Sequence, residues 1–545
     1  MEKEAKPETP ASMTADEPVT LLCLTTDLLR LILLASGAIS IANAACTCRR
    51  FRALAEELRH TPACASTLVL AVTGELEDST WAARFCSASK AAVRTSLGKL
   101  HSASVSFVIL AASPLDSHRV RLPALLEAVE KLLPTTGQSR VPLLGMSSSA
   151  VLGPRTHGVV EEHEDAVVAL AVSLPLGYTA TVASPAHNHG FRPGTEQQHT
   201  DAELLLRRWL CAEPECVGPP LWTTFFADPE GMRTPNEDNT FADPSLLSRV
   251  FPTCAIVGGV ARSMAVMNPQ GSGAQRVPVA TMTVWATSAH DGGSKLRCGA
   301  LATRGLVPFN GAVRVATSLD CPLDPGFEPV ENQLLPHMIE TRQLEGSEPR
   351  THYPEVPDPL LADLLLARSQ NQEVYLDVWG DSDEETRNTR AGRSFSVDWG
   401  LEFGIADKCI TMVPLSLART LTKKRPVHRI LCQLMKLDAG AARECTRKGA
   451  EELATYVTAG CSADVPRCVV SAICNGRGAD MFGEEHVEAS LLGAAFNDAV
   501  LGIVAGGELG PLADISLGNQ PMPAEASLQA FTNCFAALGM PGASV

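Results

Sequence analysis

One unit recurs three times in this chain and restricts the folds open to it: a strand, a helix, a second strand, then a loop of small residues. Ser104 to Ala111 leads through a helix at Pro123 to Leu133 into Val141 to Met146 and the loop Ser147-Ser148-Ser149. Leu221 to Ala227 leads through Pro244 to Val250 into Cys254 to Val257 and Gly258-Gly259. Cys468 to Ile473 leads through Glu484 to Phe496 into Val500 to Val504 and Gly506-Gly507. A helix between two short strands is the crossover that joins parallel neighbours. Three parallel pairs are therefore expected, with the small-residue loops at the carboxyl ends of their strands, where open α/β sheets place ligands. The spacing between units is not constant, which excludes a solenoid.

The remaining apolar segments fit around these units. Thr67 to Thr73 reads as a strand and Ser79 to Leu97 as a helix; Ala166 to Ser173, Val277 to Ala286, Arg297 to Ala302 and Val313 to Ser318 alternate as antiparallel strands do. The expected class is α+β or mixed α/β, with mixed sheets and helices packed on them. The Pro- and Glu-rich stretch from Glu345 to Asp358 and the polar run from Asp381 to Ser394 read as loops. A formal charge of -16 argues against a nucleic-acid partner, which calls for a concentrated basic surface. Seventeen cysteines, an odd number scattered among apolar residues, fit a reduced cytoplasmic or nuclear protein rather than a disulfide framework.

Ahead of the first unit, Leu21 to Leu58 reads as two short amphipathic helices. Thr25 or Thr26 can cap the first, which carries Leu28, Leu29, Ile32 and Leu33. Ser40 can cap the second, with Ile41, Ala44, Ala45, Cys48, Phe51, Leu54 and Leu58 in one stripe. Residues 1 to 18 have the composition of a disordered tail. Their acidic balance does not suit an export signal, and Asp27, Arg30, Arg49 and Arg50 interrupt the apolar run, so neither export nor a membrane span is expected.

The pattern Leu24-x-x-Asp27-Leu28-Leu29-x-x-Ile32-Leu33, then Ala44-x-x-x-Cys48-Arg49-x-Phe51-x-x-Leu54, resembles an F-box. The resemblance implies a Skp-type adaptor and a cullin as partners, with Leu24, Leu28, Leu29, Ile32, Leu33, Cys48 and Phe51 on the adaptor side or its supporting core. Thr25 stands where that family usually has Pro. A second resemblance covers roughly residues 66 to 515. Pro142 to Gly153, Ile256 to Ala261, Cys321 to Gly326, Cys432 to Asp438, Cys474-x-Gly-Arg-Gly478 and Gly507-Glu-Leu-Gly-Pro511 look like the successive motifs of FIST sensor domains. Together these imply an F-box at 19–60, a FIST-N-like domain at 61–330 and a FIST-C-like domain at 331–545.

The residues that concentrate chemistry are Cys474, Gly476, Arg477 and Gly478, with Gly507, Glu508 and Gly510 about thirty residues on. If the last crossover is parallel, the two loops lie side by side. Arg477 and Glu508 then either hold the two ends of an amino-acid-like zwitterion or bridge two tight turns structurally. Other chemistry is not expected. Gly145-Met-Ser-Ser-Ser149 lacks the final Gly of a nucleophile elbow, and His187, His189 and His199 have no metal-ligand register. No catalytic residue, metal or cofactor is assigned. The expected function is substrate recognition in an SCF-type ubiquitin ligase acting on protein substrates; the alternative is a small-ligand sensor or scaffold without ligase function.

Overall fold

The computed structural model describes residue 29 and, between 62 and 540, residues 62–71, 78–100, 104–113, 121–133, 140–155, 158–163, 165–184, 206–208, 210, 215–229, 247–248, 250–267, 273–288, 296–320, 334–343, 358–380, 393–399, 409–414, 430–459, 465–497, 499–511, 526–529 and 532–540. A mixed α+β fold emerges, with several sheets and helices packed on them.

The first unit runs β1 (Ala63–Leu70), α1 (Asp78–Lys99), β2 (Phe107–Ser113), α2 (Leu122–Glu130), β3 (Leu143–Ser147), β4 (Val151–Arg155), β5 (Gly158–Glu162) and β6 (Ala166–Ser173). The second has β7 (Tyr178–Ala183), β8 (Cys216–Ala227), β9 (Ala255–Val260), β10 (Ser263–Met267), β11 (Ala274–Val277) and β12 (Val279–Thr287). The third opens with β13 (Arg297–Arg304). It then carries an insertion: β14 (Leu306–Asp320), β15 (Leu334–Gln343), α3 (Pro359–Ser369), β16 (Val374–Gly380), β17 (Arg393–Trp399), β18 (Cys409–Pro414) and β19 (Ile430–Leu437). It resumes with α4 (Ala439–Thr458), β20 (Arg467–Cys474), α5 (Ala479–Phe482), α6 (Val487–Phe496), β21 (Val500–Ala505), β22 (Glu508–Pro511), β23 (Ala526–Gln529) and β24 (Thr532–Gly539).

All three expected crossovers are parallel: β2 with β3, β8 with β9, and β20 with β21. The three sheets built on them have one plan. Their orders are β1-β6-β2-β3-β10-β11, β7-β12-β8-β9-β22-β23 and β13-β24-β20-β21-β4-β5, and every pairing except the central one is antiparallel. In each sheet the first four strands come from one unit and the last two from another. The hairpin of the first unit completes the third sheet, that of the third completes the second, and that of the second completes the first. The chain is thus a cyclic exchange of hairpins among three like units.

Strand alternation decides which side chains meet inside. Phe107, Ile109 and Ala111 of β2, Trp222 and Phe226 of β8, and Cys468, Val470 and Ala472 of β20 enter one central core. Leu144 and Met146, Val257, and Leu501 and Ile503 join them from the neighbouring parallel strands. Phe107 and Trp222 stack with centroids 6.0 Å apart. Outer faces pack separately: α1 and α2 cover the first sheet, α4 and α6 the third, and Leu206, Leu210, Leu247 and Phe251 the second. Each buried Leu, Ile, Val or Phe contributes about 1.5 to 3 kcal/mol.

The insertion is a closed barrel, β14-β15-β18-β17-β16-β19. It leaves and re-enters the third unit at one point: Leu306 pairs with Leu437, and the Asp438 amide donates to the Gly305 carbonyl at 2.9 Å. Position 330 lies between β14 and β15, which pair in this barrel. Asp358 precedes helix α3 and its carboxylate caps the Leu360 and Leu361 amides, and Asp363 within the helix meets the buried Arg314 at 2.8 Å.

Two expectations change. Gly258 and Gly259 lie inside β9 rather than in a loop. A Cβ at Gly258 would overlap the Phe225 carbonyl oxygen, and one at Gly259 would sit 2.7 Å from the Gly507 carbonyl oxygen, so glycine serves close approach of strands there. The polar stretch ending at Ser394 also gives way earlier to β17, which starts at Arg393. Gly258→Ala is expected to cost at least about 3 kcal/mol in chemical unfolding. Gly98→Ala, on the exposed side of α1 with nothing within 4 Å, is expected to stabilise by roughly 0.5 to 1 kcal/mol.

Candidate functional site at the third unit

At the carboxyl end of β20 the chain turns through one 3-10 turn, Asn475–Arg477, into α5. That turn drives the Arg477 side chain inward, and α6 meets it with Glu488 in its first turn, where the helix dipole favours a carboxylate. The guanidinium grips Glu488 in a fork: Nε to Oε2 at 3.2 Å and Nη2 to Oε1 at 2.6 Å. Nη2 also donates to Thr446 Oγ1 at 3.1 Å and Nη1 to the Thr303 carbonyl at 3.3 Å. Glu488 Oε1 accepts further from Thr446 Oγ1 at 2.8 Å and Asn533 Nδ2 at 3.2 Å, and Ser471 Oγ donates to Asn533 Oδ1 at 2.7 Å. All six side chains are buried. Burial works against the Arg477 charge, but Glu488 outweighs it and holds the group above its ordinary pKa.

Glu508 opens β22 across from Gly259 and is completely buried. Its Oε2 accepts from the Thr532 hydroxyl at 2.9 Å and the Thr532 amide at 3.3 Å. Oε1 has no hydrogen-bond partner among the described residues. Burial pushes its pKa up to about 8, against the opposing pull of Thr532, the Cys474 thiol and the Arg477 charge. Cys534, on the far side of Thr532, is also pushed up by burial, with the Glu508 charge adding to it.

The expected juxtaposition is therefore met in part. Arg477 and Glu508 come close enough to feel each other's charge, but the guanidinium is paired with Glu488, eleven positions on, and does not face a ligand carboxylate. The remaining residues take local roles. Cys474 ends β20, with its thiol 3.7 Å from Asn475 Oδ1; Gly476 lies in the turn; Gly478 caps α5 with open space where a Cβ would sit. The Gly507 carbonyl accepts from the Val260 amide at 2.9 Å, and Gly510 passes so close to Cys534 that a Cβ would lie 2.7 Å from its Sγ. Of the residues expected on the adaptor side or its supporting core, Leu29 is helical and fully buried. Leu24, Leu28, Ile32, Leu33, Cys48 and Phe51 lie outside the described residues, as do His187, His189 and His199.

Sequence reasoning missed Glu488, Thr446, Thr303 and Asn533, and the repeat supplies the signal that finds two of them. By strand register, the Asn533 position is held by Val167 in the first unit and Val279 in the second, and the Thr303 position by Val69 in the first. Glu508 occupies the place of Met264 and Val151, both in the central core. The third unit is polar where the others are apolar.

No protein-family model matches the chain. No curated protein matches it. Among solved structures it is similar to a crystal structure of chorismatase, at 10% identity over 69% of this chain and 99% of that one, with a TM-score of 0.16. A TM-score that low transfers neither fold nor activity.

No described helix is long and apolar enough to cross a membrane.

Two outcomes are expected. Arg477→Met leaves a buried carboxylate uncompensated and is expected to cost about 3 to 5 kcal/mol, whereas Arg477→Met with Glu488→Met costs less than the two single losses added, as read by a double-mutant cycle. The folded-state pKa of Glu508 lies above its unfolded value near 4.5, so its stabilising contribution is complete below that value and is lost as pH rises towards 8. Glu508→Gln is expected to flatten this fall: urea unfolding at pH 8.5 should find the variant more stable than the parent, on the order of a few kcal/mol.

Proposed function

We propose that the chain is the substrate-recognition subunit of an SCF-type ubiquitin ligase. Residues 19–60 dock a Skp-type adaptor and through it a cullin, and the body beyond them captures protein substrates for ubiquitin transfer and proteasomal degradation. The observation that carries this reading is the F-box-like spacing from Leu24 to Leu54, placed just ahead of the strand at Ala63 that opens the body. The finer assignment of that body to FIST-N-like and FIST-C-like regions rests on its motif order.

Such a subunit works by proximity. Holding a substrate lysine near a loaded conjugating enzyme raises its effective concentration, which asks no bond chemistry of the receptor. The ion pair between Arg477 and Glu488 is consistent with that, because it consumes charge internally. The reading places the protein in the cytoplasm or nucleus.

One observation favours a second reading, a small-ligand sensor. A fully buried carboxyl group, at a position that is apolar in the other two units, is a costly feature for structure alone.

Leu28→Ala with Ile32→Ala is expected to abolish co-purification of a Skp-type adaptor while the body stays folded. Undiminished adaptor capture by the well-folded double variant sinks the ligase reading. Deleting residues 1–60 is expected to leave a body that captures substrates without transferring ubiquitin, so that some proteins lengthen their half-lives in cells expressing it. If a folded and abundant truncation lengthens none, the sensor reading replaces the ligase.

A further inference from the structure

The central core holds a pair of thiols from opposite ends of the sequence. Cys64 lies on β1 in register with Val172, and alternation with Leu68 turns it inward. Cys468 lies on β20, inward too, in the position that Phe107 and Trp222 hold in the other units. Strand β1 rests against the third sheet at this level: Ser66 Oγ, two residues from Cys64, accepts the Val500 amide at 3.1 Å, and Val500 pairs with Val469 beside Cys468. The Cys64 side chain lies near enough to Cys468 to act on its thiol, and both enter the same central core. Cys64 is half-buried and Cys468 is buried.

A third thiol, Cys298, is near but wrongly placed. It shares Leu538 as register partner with Cys468, so it lies two strands away in the same sheet. Two strand spacings come to about 9.5 Å, beyond the roughly 7 Å that a disulfide tolerates between Cα atoms.

We propose that Cys64 and Cys468 form an oxidisable pair that closes a disulfide between the first strand and the third unit. The oxidant is hydrogen peroxide. The Cys64 thiol releases its proton and the thiolate attacks one peroxide oxygen; the O–O bond breaks and the departing hydroxide takes up that proton as water, leaving a sulfenic acid. The Cys468 sulfur then attacks the Cys64 sulfur; the S–S bond forms, the S–O bond breaks, and the hydroxyl leaves as a second water with the Cys468 proton. Two thiols and one peroxide give one disulfide and two waters. The order follows from the surroundings. Cys64 is half-buried whereas Cys468 is buried, so Cys64 is the group that meets the oxidant; its nearness and burial also hold the Cys468 thiol well above its ordinary pKa. The bond ties down the strand that directly follows residues 19–60, and thiol reductants in the cytoplasm reverse it.

The test is non-reducing peptide mapping of the full-length folded chain after one equivalent of hydrogen peroxide. The expected result is a linked peptide pair containing Cys64 and Cys468 that dithiothreitol separates. Cys468→Ala should instead leave Cys64 as a sulfenic acid that a dimedone probe captures. The proposal is overturned if Cys64 of the folded parent chain stays reduced, runs on to sulfinic acid, or links to Cys298 or any other cysteine.

Discussion

A sheet that stopped at the second strand of each parallel pair would present a row of unpaired backbone groups to its neighbour, and the whole molecule follows from how that edge is covered. Exposed edges invite pairing with other chains. Here β3, β9 and β21 each receive a hairpin from another unit. Because every unit both gives and receives, no one of them closes its own sheet. The backbone requirement that every buried N–H and C=O find a partner therefore becomes the force that sets three units around a common centre.

That centre explains where polarity is tolerated. Layers such as Phe107 with Trp222, or Met146 with Met264, fill it with apolar volume, and a carboxylate there costs several kcal/mol unless paired. The third unit bears the departures. Arg477 and Glu488 compensate each other with Thr446 and Asn533 as support, whereas Glu508, held by Thr532 with weaker help from the Cys474 thiol and the Arg477 charge, keeps its proton to a higher pH. The same unit carries the barrel, whose root at Gly305 lies against this network: a Cβ there would come 3.0 Å from Arg477 Nη1. Ion pair and insertion thus share one corner.

Much of the framework was legible from periodicity. Ala166 to Ser173 matches β6 at both ends, and the three strand-helix-strand units all proved to be parallel crossovers. Such features are local, and hydrophobic alternation reports them directly. The exchange of hairpins was not legible, because nothing in Val151 to Glu162 says which of three like edges it will cover. The partner of Arg477 was not legible for a related reason: Glu488 is one of several carboxylates in the stretch from Glu484 to Phe496, and only the turn at Asn475–Arg477 aims the guanidinium at it. Gly258 and Gly259 were read as a loop from composition, although what demanded glycine was the nearness of Phe225 and Gly507.

The position of β24 has a further consequence for how the molecule is made. This strand, Thr532–Gly539, lies between β13 and β20 in the middle of the third sheet, and the strands that complete the second sheet, β22 and β23, come only shortly before it. A ribosome must therefore release every residue up to β24 before two of the three sheets can finish. Until then β9 and β13 wait with open edges, one lacking β22 and the other β24. Slow, non-local pairing of this kind exposes nascent chains to aggregation. Chaperone dependence during synthesis, rather than low stability once folded, is the vulnerability that this topology builds in.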